Sequence, residues 1–133
     1  MATHSIIKMI TPDNVVQLIY CHYDGFADHH LPILNGHYNT IEKAQKLMDL
    51  GDLSILDVSP EKPEGIHCLS EFQPGYCLAY SRDDNRPVEE NAAHKSTLKP
   101  DRAKLPLSEL CKGGGNQFAI DFREKNPVWR QYR

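Results

Sequence analysis

Two apolar runs near the start of the chain, Ser5–Thr11 and Val15–His22, constrain its fold more than any other feature. Both are rich in Ile and Val, and Thr11–Pro12–Asp13–Asn14 supplies turn formers between them, so they predict a β-hairpin. In the second run Val16, Leu18 and Tyr20 alternate with Val15, Gln17, Ile19 and Cys21. Both faces are largely apolar, which marks a strand covered on two sides. Asp24–Gly25 then stops the strand, because glycine reaches the positive φ that ends a ladder and turns the chain.

Helical spacing follows. Leu31, Leu34, Tyr38, Ile41, Leu47 and Leu50 recur in steps of three and four with one wider gap. Asn35–Gly36 weakens the middle, and Asn39 with Glu42 three residues later resembles a capping arrangement. The pattern predicts one helix near 29–37 and a second over Thr40–Leu50, with Gly51 as its C-terminal cap. Asp52–Leu56 reads as a short further turn of helix, and Ser59–Gly65, with two prolines, as a loop. Strands are expected at 66–72 and 76–82. Residues 83–106 are polar, hold Pro87, Pro100 and Pro106, and read as one long loop. Leu107–Lys112 forms one or two helical turns, Phe118–Arg123 a last strand, and Val128–Tyr132 a segment that pairs beside it. The expected class is α+β: a small antiparallel sheet packed on one face by two or three helices.

At 133 residues the chain suits a single domain spanning 1–133. No apolar run reaches the roughly 18–20 residues of a membrane span, and no secretory signal is expected from Met1–His4. The formal charge of −3 hides a division. Residues 1–94 carry 6 Lys and Arg against 14 Asp and Glu, whereas residues 95–133 carry 9 against 4. The acidic first part would repel a polyanion, and aromatic interleaving is sparse, which argues against extended nucleic acid as a partner.

Cys21, Cys68, Cys77 and Cys111 form no CxxC pair and sit among apolar residues, as buried reduced thiols do. Seven histidines, among them His22, His29, His30, His37 and His67, supply imidazole in plenty. Adjacent Cys–His pairs on a strand nevertheless point to opposite faces, and no spaced ligand pair exists, so neither a metal nor a cofactor is expected. The competing reading is a metal-dependent hydrolase built from His22, Asp24 and His37. There is no GxSxG elbow, and no catalytic residue is assigned.

Anion binding has better material. Lys112–Gly113–Gly114–Gly115–Asn116 offers backbone N–H groups and a cation. Arg82, Arg86, Lys99, Arg102 and Lys104 surround it in sequence, and Arg suits bidentate phosphate recognition. Arg82, Arg86 and Lys112 are the expected anion contacts, with His22 and Asp24 shaping the turn.

The segments Tyr20–Gly25 (YCHYDG), His37–Asn39 (HYN) and Leu50–Ser54 (LGDLS) together resemble a family of short proteins encoded by tailed bacteriophages and prophages. The resemblance covers roughly residues 3–57, with a weaker match at Tyr80–Asp83. The sequence departs from that pattern at Phe26–Ala27, where the family has Tyr–Pro, and at Asp84–Asn85, where it has Arg–Gly. The resemblance implies a phage origin and the host cytoplasm, without a mechanism. A small phage protein lacking a catalytic constellation is expected to be a non-enzymatic accessory factor. It would counteract a host defence or regulatory component by binding a host protein or sequestering a small nucleotide signal. A structural or dimerising module, with Leu47–Leu50 as interface in a homo-oligomer, is the third reading.

Overall fold

A computed structural model describes residues 3–62 and 75–133 of the chain. The hairpin forms where the apolar runs place it: β1 (Ser5–Ile10) and β2 (Val15–Cys21) pair antiparallel, with Ser5 opposite Cys21 and Ile10 opposite Val16. Asn14 takes the left-handed conformation in the turn, at φ 65°. Two helices follow, α1 (Ala27–His37) and α2 (Ile41–Asp49). The cap of α2 is Thr40, whose hydroxyl accepts from the Lys43 N–H at 3.2 Å, in place of the expected Asn39. Gly51 ends α2 at φ 75°, its N–H donating to the Met48 carbonyl.

The chain then enters β3 (Leu53–Ile55), a strand where a turn of helix was expected. Its N-terminal neighbour Asp52 explains the difference. The Asp52 N–H donates to the Asn91 carbonyl and its Oδ1 accepts from the Tyr20 N–H, so neither group is free to start a helix. After the undescribed segment come β4 (Leu78–Ala79) and a helical turn, α3 (Tyr80–Asp83). The strand expected over 76–82 is thus cut to two residues, because the Asp83 carboxylate takes the Ala79 N–H at 2.8 Å. The strand expected at 66–72 lies outside the described residues.

The segment 83–106 is not one loop. It holds α4 (Val88–Asn91), β5 (His94–Thr97) and α5 (Pro100–Ala103), and is followed by α6 (Leu107–Leu110). The last strands are β6 (Gln117–Asp121) and β7 (Arg130–Tyr132). The described strands make one seven-stranded sheet in the order β4-β3-β2-β1-β6-β7, with β5 also paired to β2. The class is α+β, and the sheet is mixed: β1–β6 and β2–β3 are parallel. A wholly antiparallel sheet was expected. It does not form because α1 and α2 carry the chain across between β2 and β3, the kind of crossover that parallel strands require.

One face of the sheet, with Ile7, Met9, Ile19, Cys21, Phe118 and Ile120, packs against Leu34 and Tyr38 of α1 and its end and against Ala44, Leu47 and Met48 of α2. Leu47 is thereby core. The opposite face carries a smaller cluster of Ile10, Val16, Leu107, Cys111 and Ala119, so helices touch both faces, α6 covering part of the second. Tyr38 ties several of these layers together. Its hydroxyl donates to the Asp57 carbonyl at 2.7 Å, and its own carbonyl accepts from the Trp129 indole at 2.9 Å. Gln17 of β2 and Gln45 of α2 exchange reciprocal amide hydrogen bonds of 2.8 and 2.9 Å, which fix α2 to the sheet.

Fully buried His30 sits in α1 with Nε2 3.0 Å from Ser5 Oγ, Nδ1 2.8 Å from His29 Nδ1, and its ring against Phe118. Burial, followed by the His29 charge, pulls its pKa down to about 3. Below pH 6.5 the unfolded chain binds a proton here that the folded chain refuses, so His30 makes stability fall as pH falls between about 6.5 and 3. The full slope is about 1.4 kcal/mol per pH unit. Urea titrations from pH 7 to 4 should show His30→Gln losing less stability on acidification than the wild type. Parallel pH profiles for the two proteins would exclude this role for His30.

Candidate functional site

The turn after β2 is built by the YCHYDG residues themselves. Cys21 is buried in the core, and burial pushes its thiol up to about 12. The Tyr20 hydroxyl lies 2.7 Å from His22 Nδ1 and 2.9 Å from His4 Nδ1, while His4 Nδ1 is also 3.0 Å from the His22 carbonyl. A carbonyl only accepts, so His4 carries its proton on Nδ1. Asp24 adopts φ 61°, and its carbonyl accepts the Phe26 N–H at 2.7 Å. Gly25 is enclosed: a Cβ there would stand 2.8 Å from the Thr3 carbonyl oxygen and 2.9 Å from that of His4. Asn116 closes the turn by donating to the Gly25 carbonyl at 2.8 Å and the His4 carbonyl at 3.0 Å. His22 and Asp24 therefore sit in the turn they were expected to shape.

The expected anion contacts are dispersed. Arg82 donates from Nη1 to the Pro60 carbonyl and from Nη2 to the Cys77 carbonyl, both at 2.6 Å. Its Nε and Nη2 also reach the two Asp83 oxygens at 3.0 Å each. Arg86 pairs with Asp84 at 2.8 Å and lies over the Tyr80 ring, 5.3 Å from its centroid. Lys112 is exposed in the turn between α6 and β6. Strand order puts β4, from which Arg82 emerges, four strand spacings from β6, or about 19 Å. The structure therefore does not gather Arg82, Arg86 and Lys112 at one site.

His22 precedes α1 and His37 is its last residue, and the 11 residues of the helix span about 16 Å. Among the described residues no three His, Cys, Asp or Glu side chains converge as a metal site would require. His67 and Cys68 lie outside the described residues. The other described thiols are also held in the protonated form. Burial raises Cys77, with its hydrogen-bond contacts to the Tyr38 hydroxyl and the Asp57 N–H opposing, and burial raises Cys111, with Lys8 opposing.

The accessible chemistry lies on the second sheet face. Lys8 of β1, Val16 and Leu18 of β2, Leu98 and Lys99 between β5 and α5, and Arg102 of α5 surround a groove of about 400 Å³. Lys99 and Arg102 belong to the stretch singled out as basic, but Lys8 comes from the hairpin, and register brings it there: Lys8 stands directly opposite Leu18. Sequence spacing alone did not reveal that convergence. No family model, curated protein or solved structure matches the chain. No described helix is long and apolar enough to cross a membrane.

Arg82→Ala should lower stability by about 2–3 kcal/mol, because Asp83, 5% exposed, loses its bidentate partner and two carbonyls lose a donor. Chemical denaturation checks this. A change within about 0.5 kcal/mol would show that Arg82 is free to serve a ligand.

Proposed function

We propose that the protein is a non-enzymatic accessory factor of phage origin that acts by binding in the host cytoplasm. It counteracts a host defence or regulatory component, either by occupying a host protein surface or by sequestering a small nucleotide signal. One observation carries this reading: Tyr20, Gly25, Tyr38 and Asp52 of the YCHYDG, HYN and LGDLS segments are tied into internal bonds, while the second sheet face keeps an open groove. Tyr20, Tyr38 and Asp52 all serve the framework, and the three described thiols are held protonated by burial. A metal-dependent hydrolase using His22, Asp24 and His37 finds no support, since among the described residues no three such side chains gather as a metal site would require.

Pull-down from host lysate, with mass analysis of both proteins and small molecules, tests the proposal. A partner or ligand recovered near one per chain is expected. Recovery of neither, together with turnover of a phosphoester substrate by the purified protein, would replace it with an enzymatic function.

A further inference from the structure

Ion pairing in this protein stays local. Among the described residues the pairs are Lys46–Glu61, Lys62–Asp83, Arg82–Asp83, Arg86–Asp84 and Arg123–Asp121. None joins the acidic first part of the chain to the basic last part. Among the described residues the excess cations of 95–133 are thus not neutralised by direct contact with the acids of 1–94.

Three unpaired cations meet at the groove. Lys8, Lys99 and Arg102 make no salt bridge with any described residue, and no carboxylate lines the groove. Among the described residues the one polar contact of the Lys8 ammonium is the Cys111 sulfur at 4.0 Å. Between the cations lie Val16, Leu18 and Leu98, so the floor is apolar. A volume of about 400 Å³ falls in the range of small-molecule sites. Converging like charges repel, and an arrangement that places three together beside an apolar floor fits an occupant carrying both negative charge and an apolar body.

Resting on the binding reading above, we propose that this groove is the ligand site. It takes a small organic anion, a phosphate or a carboxylate attached to an apolar or aromatic body. The anionic group lies among Lys8, Lys99 and Arg102, and the body covers Val16 and Leu18. Arg82, Arg86 and Lys112 take no part.

Calorimetric titration of the full chain with phenyl phosphate, benzoate and inorganic phosphate tests this. The first or second should bind at least about tenfold tighter than inorganic phosphate, and whichever binds tighter names the anionic group. Binding should weaken as salt rises from 50 to 500 mM, since the cations are partly exposed. Lys99→Glu/Arg102→Glu should weaken binding at least about tenfold without lowering the melting temperature, because neither side chain has an internal partner among the described residues. Arg102→Ala provides a milder variant should the double one melt early. Equal binding of inorganic and phenyl phosphate, absence of binding by both aromatic anions, or variants that bind as wild type would overturn the assignment. The lysate pull-down repeated with the double variant separates the two proposals. The same partner recovered at wild-type levels leaves the binding function standing and removes the groove from it, whereas recovery with neither protein removes both.

Discussion

The carboxylate of Asp52 holds the point at which the sheet changes construction. One edge of β2 pairs with β1 along its length, but the other edge has two partners in succession. β5 runs antiparallel beside Val15–Leu18, and β3 meets it in parallel only at Cys21. The Tyr20 N–H falls in the gap between them, and Asp52 Oδ1 accepts it at 2.9 Å. The main chain of the same residue accepts the Tyr80 N–H and donates to the Asn91 carbonyl, so one residue joins β2, α3 and the end of α4. Burial raises the Asp52 pKa, with the Tyr20 N–H and the His94 charge pulling the other way. Gly51 precedes it for a steric reason as well as a conformational one: a Cβ there would collide with the Asn91 carbonyl. The Gly–Asp pair of the LGDLS segment is in this way an architectural joint, and β3, α3 and α4 take their positions from it.

Much of the framework was legible because it depends on local rules. The hairpin, both long helices, the Gly51 cap and the final β6–β7 pair follow from apolar periodicity and turn chemistry. What stayed hidden was decided by distant partners. β5 reads His94–Lys95–Ser96–Thr97, exposed along its length, and becomes a strand only because β2 has an edge to offer. β3 has the composition of either a strand or a turn, and Asp52 settles it through contacts 32 and 39 residues away. Parallel pairing of β1 with β6, more than a hundred residues apart, leaves no trace in local spacing.

The candidate site shows the same division. His22 and Asp24 could be placed in their turn because the turn is local. Arg82, Arg86 and Lys112 looked like one cationic group because they flank a polar stretch in sequence, yet the strand order sets β4 and β6 far apart. Lys99 and Arg102 were visible as part of the basic run, and what could not be seen was Lys8 arriving from the first strand. Its partner across the hairpin is Leu18, and Leu18 borders β5, after which Lys99 at the cap of α5 and Arg102 within it supply the other two cations.

The charge division between residues 1–94 and 95–133 now has a structural meaning. Had folding joined the two parts through ion pairs, the net −3 would describe a molecule neutral in detail. Among the described residues the pairs instead close within each part: Asp83 takes Lys62 and Arg82, and Asp121 takes Arg123. Exposed pairs such as Lys46–Glu61 add little stability, generally less than about 1 kcal/mol, so nothing in folding compels a surface cation to find a partner. Three cations outside these pairs, Lys8, Lys99 and Arg102, stand where β1, β2 and the start of α5 converge. Leaving three charges solvated at the surface costs little, whereas gathering them beside Val16 and Leu18 creates a local potential that a uniform scatter would not. The sheet face opposite the main core therefore sets three cations beside apolar side chains, and that arrangement arises from strand register, which no count along the chain contains.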